Sequence, residues 1–197
     1  MTDVQAPTDY RLLLPDGWFR IDLSPERRER SVDALVKRQF NGVDDAPHLK
    51  RQARDELLGR AIKAYDNGGL ELYLSLQQAG PMTIPASLLI TFVPPQHPEG
   101  VPPEALMKYL TGNGPAGRHI TVEELQSGHA VRVRARTVPA ADDPTGNTLP
   151  TTSVDYHLPI PHSSAYLLLS FSTPLDPIAD AMAGLFDAIA ASLTWKR

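Results

Sequence analysis

The last thirty residues constrain the fold of this chain more than any other stretch. The run Tyr166–Phe171 is nearly all apolar and is bounded by turn residues, which is typical of a central strand buried on both faces. After a break at Pro174, Asp176 and Pro177 are favourable residues for the start of a helix that we expect to reach Trp195. Large apolar residues recur along it at helical spacing, at Ile178, Met182, Leu185, Phe186, Ile189 and Leu193. The sequence therefore predicts a buried strand covered by an amphipathic helix.

Length and composition narrow the class of protein. The chain has 197 residues, of which 42% are hydrophobic and 21% charged, as in an ordinary globular protein; we predict one domain spanning 1–197. The absence of cysteine excludes disulfides, thiolate metal sites and a cysteine nucleophile. The net charge of −4 argues against nucleic acid as the main ligand. Because neither a signal peptide nor a long apolar span is recognisable, we expect a cytoplasmic protein that does not bind a membrane.

The first half of the chain predicts a hairpin followed by two helices. Two apolar-rich runs, 9–14 and 18–23, flank a Pro-Asp-Gly turn, a pattern that favours a β-hairpin. A helix capped at Ser24 ends near Phe40, with an inner stripe of Val32, Leu35, Val36 and Phe40. A second helix is predicted from Pro47 to Tyr65. Between Arg27 and Lys63 there are ten basic and six acidic residues, so the outer faces of these helices are basic.

The second half predicts a strand meander interrupted by one short helix. Alternating or continuous apolar residues indicate strands, and a helix is expected over 104–110. Proline, glycine, asparagine and aspartate between 139 and 151 predict a long mobile loop. The expected strands are 70–78, 86–93, 118–125, 130–138 and 153–160, followed by the apolar run at 166–171. Together these elements predict an α+β fold: an antiparallel sheet of about six to eight strands with helices on both faces.

No motif for catalysis or metal binding stands out. Ser153, Asp155 and His157 share one predicted strand face, but three residues in a row on a flat strand do not easily converge on one atom. His157 and His162 lack the short ligand spacing of zinc sites. We therefore expect no catalytic residue, no metal and no cofactor.

The strongest candidate for a binding site is an alternating row of arginines. Arg132, Arg134 and Arg136 alternate with small or apolar residues, so their guanidinium groups are expected on one strand face, roughly 7 Å apart. Such a row suits an acidic protein surface or an anionic ligand. The alternative is a solvent-facing strand whose arginines pair with Asp155 or Glu123, an arrangement that is common and of little energetic value.

The order of elements resembles the PsbP-like superfamily, an α/β/α sandwich around an antiparallel sheet. The resemblance is carried by the entrance segment Leu14-Pro15-Asp16-Gly17-Trp18 and by the exit segments 166–171 and 176–195. Members of that superfamily are mostly non-catalytic and include a photosystem II extrinsic subunit and a nuclear-import factor that binds a small GTPase. The resemblance implies a binding protein and names no partner.

Three functions remain open from the sequence. The first is a non-catalytic cytoplasmic accessory or adaptor protein that recognises another protein through loops and the arginine-bearing face; the identity of that partner is open, and an acidic surface is one option. The second is a carrier of a small anionic ligand, held in a pocket between the sheet and the basic helices. The third is an enzyme whose motifs are not recognisable.

Overall fold

The computed structural model describes residues 5–42, 46–80, 82–139 and 149–196. The predicted loop at 139–151 falls largely outside these residues, at 140–148, and its mobility stays a prediction. The described helices are α1 (Arg28–Gln39), α2 (Pro47–Asp66), α3 (Pro103–Gly112) and α4 (Ala179–Ala191), with a 3-10 turn at Asp176–Ile178 directly before α4. No described helix has the length and apolar character needed to cross a bilayer.

Seven strands form one antiparallel sheet. In chain order they are β2 (Trp18–Asp22), β3 (Gly69–Ser75), β6 (Ser87–Val93), β7 (His119–Leu125), β8 (Gly128–Thr137), β9 (Thr151–Pro159) and β10 (Tyr166–Thr173), and the order across the sheet is β2-β3-β6-β10-β9-β8-β7. Two small two-stranded units accompany it: β1 (Asp9–Arg11) with β11 (Thr194–Lys196), and β4 (Gln78–Ala79) with β5 (Met82–Thr83). The apolar run predicted as a central strand is β10, which pairs with β6 and β9 in the middle of the sheet.

Helices cover both faces of the sheet. On one face, α4 packs on β9 and β10 around Phe171 and Phe186, whose rings stack with centroids 4.9 Å apart. On the other face, α1 and α2 cover β2 and β3 through a second core that includes Val32, Leu35 and Leu72. The helix α3 lies on this second face beside β7 and β8, where Glu104 is 3.9 Å from His129. The predicted α+β sandwich is confirmed.

The predicted hairpin at the start of the chain is wrong. The turn is present, with Gly17 at φ +89°, but β1 pairs with β11 and β2 pairs with β3. Tyr10 and Trp195 lie directly opposite each other in the β1–β11 ribbon and pack on the core beneath α4. A turn residue reverses the chain, but burial of the flanking apolar side chains decides which strand each run pairs with.

The final helix is shorter than predicted, and its inner stripe is narrower. The helix α4 ends at Ala191, after which the chain becomes β11. Of the predicted stripe, Met182, Phe186, Ile189 and Leu193 are buried, Leu185 is half-buried and Ile178 is exposed. Ile178 differs because it belongs to the 3-10 turn before the helix rather than to its core-facing side.

Candidate functional site

The row of arginines lies on the face of the sheet that carries α4. Strand alternation directs Val131 and Val133 to the opposite face, while Arg132 and Arg134 are registered with Tyr156 and Val154 of the core beneath α4. Each arginine meets an aspartate from the last helical segment rather than the predicted Asp155 or Glu123. The pairs are Arg132–Asp187, Arg134–Asp180 and Arg136–Asp176.

Among the described residues, neither predicted alternative partner pairs with these arginines. Asp155 is registered with Val133 and therefore points to the opposite face of the sheet. Glu123 shares the face of the arginines, but its carboxylate accepts a hydrogen bond from the Thr121 hydroxyl at 2.7 Å. The arginines are thus engaged through a helix that is distant in sequence.

The three pairs differ strongly in their exposure. Arg132 holds Asp187 with two bonds of 2.9 and 3.1 Å, and its side chain is only 12% exposed. The Tyr156 hydroxyl also donates to Asp187, at 2.8 Å, and burial, followed by the neighbouring carboxylate, raises the pKa of Tyr156. Arg132 therefore fastens α4 to the sheet and has little capacity for an external ligand.

Arg134 and Arg136 are open to solvent. Arg134 makes a single 2.5 Å contact to Asp180, whose side chain is 93% exposed. Arg136 binds Asp176 with bonds of 2.7 and 3.0 Å, and both side chains are partly exposed. The hydrogen bond from Arg136 lowers the pKa of Asp176, so this carboxylate is charged at neutral pH.

These residues line a groove of about 820 Å³ between β8 and the start of the final helix. We call it the arginine groove and define it by Arg134, Arg136, His119, Asp176, Asp180 and Ile178. His119 lies on β7 directly opposite Arg134, and exposed Ile178 adds an apolar surface at the helical wall. The groove thus combines two accessible guanidinium groups, the two carboxylates paired with them, and an apolar surface to which Ile178 and neighbouring small residues contribute.

The aspartates of this site were missed in the sequence, although a signal for them existed. Asp176 and Asp180 are four residues apart, which is about 6 Å along a helix, close to the roughly 7 Å between alternate residues of a strand. That match allows one helix edge to pair with consecutive arginines of one strand. The sequence did not show which strand the helix edge would lie beside.

The polar row on β9 does not assemble a catalytic set. Asp155 lies opposite Ser170, and His157 lies between Leu168 and Val131 on the neighbouring strands. Within the described part of the chain, His157 makes no hydrogen bond to Asp155 or Ser153. Burial lowers the pKa of His157 to about 4, so the ring is neutral and uncharged under ordinary conditions.

The space between the sheet and the basic helices is small and carries little positive charge. A groove of about 300 Å³ lies there, and its charged lining consists of Arg60 and Glu56. Arg54 instead turns toward α1, where it binds Asp33 at 2.6 Å. The lining of the predicted carrier site between these layers thus contains one cation and one anion.

The fold and the groove define the class: an α/β/α sandwich with a charged, solvent-open groove on one face of its sheet. The resemblance to the PsbP-like superfamily is supported at the level of the fold. Over its whole length the chain is similar to LpqN of Mycobacterium tuberculosis, a protein involved in cell envelope biogenesis, at 13% identity, 88% coverage of that chain and a TM-score of 0.52. This likeness shows a shared fold.

Two further solved structures are more distant. Cyanobacterial PsbP from Synechocystis is 13% identical, with 94% of this chain and 86% of that chain covered and a TM-score of 0.45. The Ran-binding protein Mog1p of Saccharomyces cerevisiae is 11% identical, with 64% and 78% covered and a TM-score of 0.40. No protein-family model and no curated protein matches the chain.

Proposed function

We propose that this protein is a non-catalytic accessory protein of the cytoplasm that binds another protein through the arginine groove. The observation that carries the proposal is the accessibility of Arg134 and Arg136 in a groove of about 820 Å³. Guanidinium groups bind carboxylates with two parallel hydrogen bonds, which favours an acidic segment of the partner. The resemblance to a superfamily of mostly non-catalytic binding proteins supports the same function.

The ion pairs with Asp180 and Asp176 do not prevent Arg134 and Arg136 from binding a partner, because a carboxylate of the partner can replace each aspartate. Exposed ion pairs contribute about 0–1 kcal/mol, so Arg134 loses little when it leaves the highly exposed Asp180. A partner carboxylate can replace Asp180 on Arg134, and Asp180 then returns to water. Binding by exchange of this kind selects a partner that offers several carboxylates together, because each single exchange gains little.

Of the three arginines predicted as a binding site, we assign only Arg134 and Arg136 to partner binding. Arg132 donates two hydrogen bonds to Asp187 and is mostly buried, so its role is to hold the helical wall of the groove. A change of Arg132 to glutamate would place two carboxylates against each other under α4 and disturb the fold. The binding test therefore uses Arg134 and Arg136 alone.

The test compares partner capture by wild-type protein and by an Arg134→Glu/Arg136→Glu variant. Tagged protein is incubated with lysate of the native cell, and captured proteins are quantified by mass spectrometry after washes of increasing salt. We expect the double variant to lose a specific partner that wild type retains, and wild-type capture to weaken with salt because screening shortens the reach of charges. Subcellular fractionation checks the cytoplasmic location.

Arg54→Glu is the matched control. Its side chain is 35% exposed, close to the 33% of Arg134, and it also pairs with aspartate, but it lies on α2 on the other side of the sheet. This variant should capture the partner as wild type does, and Asp180→Asn should capture more because it frees Arg134. Unchanged capture by the double variant, or equal losses in the double variant and the control, would contradict the proposal.

A further inference from the structure

A second concave site lies on the same face of the sheet, at the opposite end from the start of α4. It is a cleft of about 370 Å³ between the sheet and the β1–β11 ribbon. We call it the aromatic cleft and define it by Tyr10, Phe92, Trp195, Leu70, Arg20 and Glu71. We propose that the aromatic cleft binds a small apolar carboxylic acid, with its carboxylate on Arg20 and its hydrocarbon part among the aromatic and aliphatic side chains.

The walls of the cleft are apolar and open to a ligand. Leu167 and Ile160 form part of its lining together with the three aromatic residues. Phe92 and Leu70 are exposed to solvent here, although large apolar side chains such as these are usually buried in a core. A volume of about 370 Å³ lies at the lower end of the roughly 300–1,000 Å³ of small-molecule sites.

The shape of the cleft is held by specific contacts. Leu70 is displaced outward because the pairing of β3 with β6 shifts register between Gly69 and Glu71. Trp195 is fixed by a hydrogen bond from its indole nitrogen to the Ser127 carbonyl, at 3.0 Å. The cleft is thus present before a ligand arrives, which lowers the cost of binding.

The polar end of the cleft offers hydrogen-bond donors rather than acceptors. Glu71 is 16% exposed and already accepts bonds from the hydroxyls of Tyr10 (2.8 Å) and Tyr73 (3.0 Å), in addition to its ion pair with Arg20. Asp9, which also lines the cleft, is paired with Lys196 at 3.4 Å and accepts the backbone N–H of Tyr10. The carboxylates of Glu71 and Asp9 therefore already have hydrogen-bond and ion-pair partners within the protein.

Arg20 is the group with unused capacity. Its side chain is 55% exposed, and in the described contacts it uses one terminal nitrogen, Nη2, for Glu71. The remaining N–H groups can hold a carboxylate in the two-bond geometry typical of arginine. A ligand of this cleft therefore needs a hydrogen-bond-accepting head group for Arg20 and a hydrocarbon part for the apolar walls. An apolar carboxylic acid has both.

The experiment measures binding of butyrate, hexanoate and octanoate to the full chain, with octan-1-ol as the neutral counterpart of octanoate. Tryptophan fluorescence reports binding because Trp195 lines the cleft, and Trp195→Phe should remove the signal. We expect affinity to rise about fourfold per added methylene. Octanoate should bind at least about tenfold more tightly than octan-1-ol, as a charged hydrogen-bonded head group implies.

Three variants locate the site. Arg20→Gln should weaken octanoate binding about tenfold or more and leave octan-1-ol unchanged, Arg20→Lys should restore part of the loss, and Phe92→Ala should weaken both ligands. Arg54→Gln, on the other side of the sheet, and Arg134→Glu/Arg136→Glu should bind octanoate as wild type does, which separates this test from that of the arginine groove. Equal binding of acid and alcohol, full octanoate affinity in folded Arg20→Gln, or no fluorescence response to any acid would overturn the inference.

Discussion

His157 illustrates how a titratable residue is tolerated between apolar neighbours on the adjacent strands. It lies on β9 between Leu168 of β10 and Val131 of β8, and this burial lowers its pKa to about 4 from 6.5. Two positions away, burial raises the pKa of Asp155, while Ser170 and Arg118 work in the opposite direction. In both groups burial disfavours the charged form relative to the unfolded chain.

This difference predicts a pH-dependent stability. The unfolded chain protonates His157 near pH 6.5, whereas the folded state keeps the ring neutral down to about pH 4. The stability contributed by the neutral ring is therefore present above pH 6.5 and lost as the pH falls toward 4, by about 3 kcal/mol in all. Asp155 has the opposite sign, because a raised pKa in the folded state favours folding as the carboxylate becomes protonated.

The His157→Leu variant isolates the histidine contribution. Leucine suits the apolar neighbours and cannot titrate, so the free energy of unfolding should fall less steeply between pH 6.5 and 4 than in wild type. Urea unfolding at several pH values measures both slopes, and NMR titration of the wild-type ring measures the pKa directly. Identical slopes in the two proteins would contradict the burial argument.

At the scale of elements, the junction between α2 and β3 shows how two glycines have opposite roles. Gly59 lies inside α2, where an added Cβ would meet no atom within 4 Å. Gly69 begins β3 directly after the helix, where an added Cβ would lie 2.6 Å from the Ala64 carbonyl oxygen and 3.0 Å from Leu23 Cδ1. Gly59 therefore destabilises α2 relative to alanine, whereas Gly69 allows the end of α2 to approach β3 closely.

We therefore predict opposite effects of the same substitution at the two sites. Gly59→Ala should raise the free energy of unfolding by about 0.5–1 kcal/mol, because alanine restricts the unfolded chain and favours helix. Gly69→Ala should lower it by about 1–3 kcal/mol through the backbone clash. Urea denaturation of both variants measures the difference, and a stable Gly69→Ala protein would show that the helix end can move away from the strand.

The spacing of apolar residues predicted the helices and strands better than it predicted which strands pair and which side chains meet. The start of α2 at Pro47 and the central position of β10 follow from local sequence, because helical and strand patterns are local. The pairing of β1 with β11 joins the two ends of the described chain, and no local pattern encodes it. The same reason explains the site: alternation placed the arginines on one face, but Asp180 and Asp187 meet them only through the packing of α4.

At the scale of the molecule, one sheet connects two cores. Leu88 and Ile90 of β6 enter the core beneath α4, while Leu89, between them, packs into the core beneath α1 and α2. Both tryptophans, Trp18 and Trp195, pack against the first core. In the described part of the chain, the strands of the shared sheet connect the second core to the tryptophans.

This arrangement predicts that the two cores unfold together, as expected of a single domain over 1–197. Leu35 is almost fully buried in the second core, and Leu35→Ala should cost about 2–5 kcal/mol. At about 2–4 °C per kcal/mol for a chain of this size, the melting temperature should fall by about 4–20 °C. The same decrease should be seen by far-ultraviolet circular dichroism, which reports all helices, and by tryptophan fluorescence, which reports the first core.

Ile178→Ala, a change at an exposed residue outside both cores, is the control and should leave both melting temperatures within a degree or two of wild type. A Leu35→Ala protein whose circular dichroism melts early while its tryptophan signal melts at the wild-type temperature would show that the two sides of the sheet unfold independently, and would contradict the single domain.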